Sequence, residues 1–183
     1  MTATSTTTAT VIMPAPSVQQ AYVGLMMGVI GRGLVSMSQV DDQVRRELSA
    51  LPAGYVICMK VMGSNGPAFA IEVGDDGSLR LRKDFNGRAS LTVIFKHMAH
   101  AFLVFSFQEG TARAFANDRM FVDGNVSHAV RLVRCLNRME SVILPKMVAE
   151  RALKRYPHIR IGEKLSLATR TYGRLLTNLI KGQ

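Results

Sequence analysis

The sequence has no tryptophan, only two cysteines and far fewer acidic than basic residues. Cys58 and Cys135 lie within apolar patterns and lack metal-type spacing, which predicts buried, free thiols in a reducing compartment. Without Trp, the apolar mass falls on Val, Leu, Phe and eleven Met. Because Met adapts to irregular shapes, this composition favours a deformable interior, although ordinary core filling explains it as well.

The residue patterns of the common enzyme sites are also missing. Gly31-Arg32-Gly33 lacks both the spacing and the Lys-Ser/Thr pair of a phosphate-binding loop. His97 and His100 have no carboxylate or third ligand near them in the sequence, which favours helix-edge histidines over a metal site. Cys58 falls within a predicted strand, without a helix start to lower its pKa. We therefore predict no enzyme activity, no cofactor and no metal.

Positive charge is concentrated at the C-terminal end of the chain. Residues 1–124 carry eleven Lys and Arg against ten Asp and Glu, whereas residues 125–183 carry twelve against three. A basic helical segment on a near-neutral domain favours an anionic membrane surface or nucleic acid as partner, and a solvated face explains the same count. The residues predicted to form this surface are Arg131, Arg134, Arg138, Arg170, Arg174 and Lys181.

No segment has the pattern of a convincing membrane-spanning helix. Residues 1–31 carry no charged side chain, but Pro14, Pro16 and several glycines interrupt them. A secretory signal is disfavoured because its positively charged first region is missing. The prediction is a cytoplasmic protein, in peripheral contact with a membrane at most.

Helical and extended patterns divide the N-terminal half of the chain. Residues 1–16 are Thr/Ala-rich and predict a disordered tail. Ser17 to Gln20 match a capping box, which predicts a helix through Ile30, and a second helix is expected from about Ser38 to Ala50. Four alternating apolar segments then follow between Tyr55 and Phe95, separated by Asn-Gly or Asp-Gly turns. This pattern predicts a meander of antiparallel hairpins with helices covering one face.

The second half begins with an uncharged helix. His97 to Gln108 contain no Asp, Glu, Lys or Arg, so this helix must be buried all round or must line something apolar. A last strand is predicted from Arg113 to Val122. Asn125 then caps a helix to Leu144 that has one apolar and one basic face. Two more helices are predicted beyond Pro145, and the final one, from about Glu163 to Lys181, is amphipathic.

The order of these elements resembles the sterol carrier protein family. The segment from Arg119 to Leu132, a strand ending in Gly124-Asn125 before an Ala/Val/Leu helix, is similar to that family's last strand and helix. Ala89 to Phe95, leading into Lys96 to Gln108, is similar to its preceding strand and helix. The resemblance covers roughly residues 40–143. It implies an α+β fold with a five-stranded, largely antiparallel sheet, helices on one face, and a hydrophobic tunnel. Extra C-terminal helices are typical of the bacterial ubiquinone-biosynthesis accessory members.

The resemblance implies an intracellular carrier of a fatty acyl, sterol-like or isoprenoid ligand. We predict a tail over residues 1–16, a lipid-binding domain over 17–144, and basic amphipathic helices over 145–183 that pack on or cap it. The alternative is an accessory factor that docks its basic helices on a membrane or on a lipid or ubiquinone biosynthesis enzyme. Nucleic-acid binding would use the same arginines, but the helices lack interleaved exposed aromatic residues. The predicted tunnel residues are Phe95, Met98, Phe102, Phe105, Met120, Val130, Val133 and Leu136, with Leu175 and Leu179 as lid contacts.

Overall fold

The computed structural model describes residues 13–63, 66–83, 85–143, 169–171, 173–174 and 177. These residues form an α+β fold built on one five-stranded sheet. The helices are α1 (Pro16–Val40), α2 (Asp42–Leu48), α3 (Met98–Phe105), α4 (Thr111–Ala116) and α5 (Val126–Ile143). The strands are β1 (Val56–Val61), β2 (Ala68–Val73), β3 (Leu79–Arg82), β4 (Leu91–Phe95) and β5 (Met120–Gly124).

The strand order is β3-β2-β1-β4-β5, and only the β1–β4 pair is parallel. The predicted five-stranded, largely antiparallel sheet is thus confirmed, but the meander through all four early strands is wrong. β4 does not pair with β3; the chain crosses to the far side of β1, where the Ser90 amide donates to the Val56 carbonyl at 2.9 Å. A glycine turn predicts that the chain reverses, not which strand it will meet.

One face of the sheet is apolar and covered by helices. Its inner side chains alternate along each strand, as Ile57 and Met59 do on β1, and both are buried. α1 lies over β2 and β3, while α3 and α5 lie over β4 and β5. The opposite face carries the charged pair Arg82 and Glu72, so it can stay in contact with water. The predicted placement of helices on one face is confirmed.

α1 is a continuous helix of 25 residues, which extends ten residues beyond the predicted end at Ile30. The predicted capping box is wrong, because Pro16 occupies the first turn and no side chain caps the helix. Gly31 brings this helix close to the sheet, since a Cβ there would lie 3.1 Å from the Phe69 ring. The helix extends to Val40 because its C-terminal half is buried against the core.

α1 is also the one described helix that is long and apolar enough to cross a membrane. Its most apolar window has a mean hydropathy of 1.3, and 56% of that window is buried inside the protein. That burial is what a core helix of this length requires.

α2 begins later than predicted because Asp41 caps it. The Asp41 carboxylate accepts hydrogen bonds from the amides of Gln43 at 2.8 Å and Val44 at 3.0 Å. These bonds satisfy two of the free amides at the helix start. Asp41 thereby separates α2 from α1, and α2 packs against α5.

The predicted strand from Arg113 to Val122 is wrong over its first half. Residues Thr111–Ala116 form the short helix α4, with Ala114 fully buried, and only Met120–Gly124 are extended. Three alanines in six residues favour the helix.

Gly124 then adopts φ 130°, and a Cβ there would lie 2.8 Å from the Ser90 carbonyl oxygen, so the turn into α5 requires glycine.

α5 starts as predicted at Asn125, whose side-chain oxygen accepts from the Ser127 amide at 2.9 Å. The predicted helix over residues 146–156 lies outside the described residues, as does the tail over 1–12. Of the final predicted helix, the described residues are all helical. Thr171 is fully buried and donates to the Met37 sulfur at 3.2 Å, so this segment packs on the C-terminal end of α1. The division into three regions stays a prediction.

Candidate functional site

An apolar cavity of about 410 Å³ lies between the inner face of the sheet and the helices. β1, β4 and β5 form its floor through Met59, Phe95 and Met120, and α1, α3, α4 and α5 form its walls. Apart from Glu109 and Glu140, none of its described lining residues is charged. This volume falls within the range of small-molecule sites.

α5 presents three different sides to its surroundings. One side, which includes Leu132 and Met139, is buried in the core, and a second carries the arginines. Between them runs a third side that faces the cavity. We call it the cavity stripe, and its members are Val126, Val130, Val133, Leu136 and Glu140. Leu132 and Met139 also reach the cavity from the core side.

The rim of the cavity is apolar and accessible to solvent. Val126 is 68% exposed, Val130 46% and Phe115 53%. Residues that merely filled the core would be buried, so these side chains are not explained by core packing. A cluster of exposed apolar groups around a cavity is typical of a ligand-binding site.

The structure brings six of the ten predicted tunnel residues together around this cavity. They are Phe95, Phe105, Met120, Val130, Val133 and Leu136. Met98 and Phe102 do not line it. Met98 packs on the outside of the core, and the Phe102 ring packs edge-on against Tyr22 with centroids 5.4 Å apart. Phe102 is buried in the core, and Met98 is partly buried against it, so both side chains lie on sides of α3 that do not line the cavity. Leu175 and Leu179 lie outside the described residues.

The sequence missed the walls that other elements supply. α1 contributes Met26, Val29 and Ile30, and the segment after α3 contributes Phe107. Phe107 has φ 58°, the left-handed conformation that ends many helices and is usually taken by glycine. No local pattern in the sequence predicts a phenylalanine there. Glu140 was detectable, because it is the one acidic residue of α5 and lies four positions after Leu136 on the same helical face.

The arginines of α5 are engaged in ion pairs within the protein, and their predicted role as an anionic-binding surface stays a prediction. Arg138 is 11% exposed, and its Nε donates to Oδ2 of Asp41 at 2.8 Å. Arg131 and Arg134 both contact Glu47 on α2, at 3.0 Å and 3.3 Å.

Three further residues were predicted for the same surface. Arg174 is exposed and donates from Nε to the Gln39 side chain at 2.8 Å. Arg170 is exposed, and Lys181 lies outside the described residues. The arginines of α5 therefore bind α2 first, and a membrane would have to compete for them.

No Cys or His among the described residues lines this cavity. Burial raises the pKa of Cys135 to about 12 and also raises the pKa of Cys58, which disfavours a reactive thiolate at either position. His97 and His100 stack edge-on with ring centroids 4.9 Å apart. Burial and the neighbouring His97 lower the pKa of His100. Among the described residues, no group of three metal-ligating side chains occurs.

Comparisons with known proteins give structural matches only. No protein-family model matches the chain, and no curated protein matches its sequence. Sterol Carrier Protein 2 from Yarrowia lipolytica (apo form) is 19% identical, with a TM-score of 0.43, over 63% of this chain and 89% of that chain. The UbiJ-SCP2 ubiquinone synthesis protein is 15% identical, with a TM-score of 0.43, over 68% of this chain and 100% of that one.

A third match is the sterol carrier protein domain 2 of Helicoverpa armigera. It is 13% identical, with a TM-score of 0.41, over 65% of this chain and 85% of that one. These structural neighbours are sterol carrier protein 2 domains, the family that the sequence resembles.

Proposed function

We propose that the protein binds an apolar ligand in this cavity and transfers it or presents it to another protein. The observation that carries the proposal is the cavity of about 410 Å³, apolar on its floor and walls and bordered by exposed apolar side chains. An apolar cavity of this size gains free energy when a hydrocarbon chain fills it. Fatty acyl, sterol-like and isoprenoid or quinone-precursor ligands all offer such a chain.

The energies support binding without a catalytic group. Each methylene moved out of water contributes about 0.8 kcal/mol, so about twelve methylenes gain roughly 10 kcal/mol. Association and ordering oppose this gain by at least about 4 kcal/mol. The balance supports affinities that permit both uptake and release, as a carrier needs.

Transfer and presentation place different demands on the rest of the molecule. We propose a cytoplasmic protein that can attach to an anionic membrane or to a biosynthetic enzyme. Arg170 is exposed, and Arg134 is exposed and shares Glu47 with Arg131, so both offer positive charge outside the cavity. A role beside a ubiquinone or lipid biosynthesis enzyme fits this arrangement. The pairing of α5 with α2 limits how much charge is free for a membrane or for nucleic acid.

Native mass spectrometry of the freshly purified full chain tests the proposal. We expect co-purified lipid, and we expect a fluorescent fatty acyl probe to bind and to be displaced by unlabelled long-chain compounds. A protein that carries no lipid and binds no such probe would contradict the proposed function.

A further inference from the structure

Among the described residues, two acidic side chains line the cavity, and they have different surroundings. Glu109 is buried and has a cation beside it: Arg119 Nε lies 3.1 Å from its Oε2 as an ion pair without a hydrogen bond, and Asn117 Nδ2 donates to its Oε1 at 2.8 Å. Glu140 has no hydrogen-bond or ion-pair partner among the described residues. It lies at the end of the cavity stripe, one turn beyond Leu136.

The Glu140 carboxyl group is largely buried and has no partner in the part of the chain that the structure describes, which is costly for an ionised group. Losing water without gaining a hydrogen bond destabilises the folded protein. Burial raises the pKa of Glu140 to about 7, so the group is close to half protonated near neutral pH. The other described lining residues, from β1, β4, β5 and the helices, offer it no cation. A ligand that fills the cavity can bring the missing partner.

We propose that Glu140 is the polar anchor of the cavity and that it favours ligands whose apolar chain ends in a hydroxyl group over ligands that end in a carboxylate. This inference rests on the proposed function and narrows its ligand class. A hydroxyl group donates to Glu140 when the carboxyl is ionised and accepts from it when it is protonated. Glu140 can therefore form a hydrogen bond with a ligand hydroxyl group in both of its protonation states.

A ligand with a carboxylate head group should bind less tightly than one with a hydroxyl group. A carboxylate would approach Glu140, and no Lys, Arg or His is among the described residues that line the cavity; Glu109 is already paired with Arg119. Like charges repel more strongly where water is excluded. An ammonium head would pair with ionised Glu140, but it would first lose its own hydration in an apolar cavity. The hydroxyl group avoids both costs.

Three probes of equal chain length separate these heads: myristyl alcohol, myristic acid and myristylamine. The measurement is the displacement of an uncharged pyrene-alkane probe from the full chain by each compound. The variants are Glu140→Gln, Glu140→Leu and, as a folded control, Glu72→Gln on the opposite face of the sheet. We expect the wild type to bind the alcohol about tenfold more tightly than the acid above pH 8. The ratio should shrink below pH 6, where Glu140 is protonated.

The variants distinguish an anchor from a structural residue. Among the described residues that line the cavity, Glu109 is the only other titratable group, and it is paired with Arg119. Glu140→Gln should keep the alcohol bound and abolish the pH dependence of the ratio. Glu140→Leu should weaken the alcohol severalfold but not the pyrene-alkane, and Glu72→Gln should behave as the wild type does.

The outcomes keep the two proposals apart. If none of the three compounds displaces the probe, or the probe itself does not bind, the proposed function fails. If all three bind but the acid equals the alcohol, the amine binds tightest, or Glu140→Gln retains the wild-type ratio and its pH dependence, the anchor role of Glu140 is overturned and the cavity remains a binding site.

Discussion

Arg138 on α5 donates from Nε to Oδ2 of Asp41 at 2.8 Å, and Asp41 at the same time caps α2. The Asp41 side chain is 2% exposed, so this pair is shielded from water. One carboxylate therefore links the start of one helix to the side of another. Since α5 carries the cavity stripe, the link also fixes one wall of the site.

Removing one partner of this pair should destabilise the fold strongly. Asp41→Ala leaves the Arg138 charge buried and removes the cap, and we expect a loss of about 3 to 5 kcal/mol in the free energy of unfolding, measured by urea denaturation. Arg134→Ala is the matched control, because Arg134 is exposed and its loss should cost less than about 1 kcal/mol. Equal losses in the two variants would show that the buried pair contributes no more to the free energy of unfolding than the exposed one.

Membrane attachment should increase when Glu47 is neutralised. Glu47→Gln releases Arg131 and Arg134, and each freed arginine can contribute about 1 kcal/mol at an anionic surface. Asp118→Asn is the control, since it changes net charge equally but releases Lys96 elsewhere. Flotation with anionic and neutral vesicles measures the effect. If the two variants float alike, the α5 arginines do not contact the membrane.

The sequence predicted which residues form the strands and several that line the cavity, but it did not predict which strands pair with each other. Alternation identified the strands, and the apolar face of α5 led to Val130, Val133 and Leu136. The partner of β4 was not predictable, because alternation is the same in a parallel and in an antiparallel pair. α4 was missed because a six-residue helix gives too short a pattern.

The opposing charges of Asp41 and Glu47 show a second limit of the sequence. Both lie more than 80 residues before the arginines that they bind. A charge count along the chain gives a basic C-terminal segment, but it does not show which of its cations are neutralised by α2. Only the packing of α2 on α5 reveals these ion pairs.

Two glycines of α1 should respond in opposite ways to alanine. At Gly31 a Cβ would lie 3.1 Å from the Phe69 ring, so Gly31→Ala must push the helix or the ring aside and should cost about 1 to 3 kcal/mol. At Gly24 the nearest atom would be 3.9 Å away, so Gly24→Ala should stabilise the helix by about 0.5 to 1 kcal/mol. Thermal unfolding of both variants tests this. A stable Gly31→Ala would mean that the approach is looser than the structure shows.

Glu140 should make the protein less stable as pH rises. Its pKa is raised by burial to about 7 in the folded protein, against about 4.3 when unfolded, so the folded state binds more protons between these values. Stability is therefore highest below the unfolded pKa and falls as pH rises through the folded one, by up to about 4 kcal/mol. Glu140→Gln should remove this slope in urea unfolding between about pH 5 and pH 8. If the unfolding free energy of Glu140→Gln changes with pH as in the wild type, another titratable group causes the pH dependence.

Filling the cavity should abolish ligand binding while the protein stays folded. Val133 lies on the cavity stripe and is only half-buried, so Val133→Trp can place its ring in space that the ligand would occupy. Val18→Trp is the matched control, because Val18 is exposed on the first turns of α1 and does not line the cavity. We expect Val133→Trp to lower probe affinity at least about tenfold with a change in unfolding free energy below about 2 kcal/mol. Val18→Trp should bind the probe as the wild type does. If Val133→Trp folds and retains full affinity, the ligand binds elsewhere.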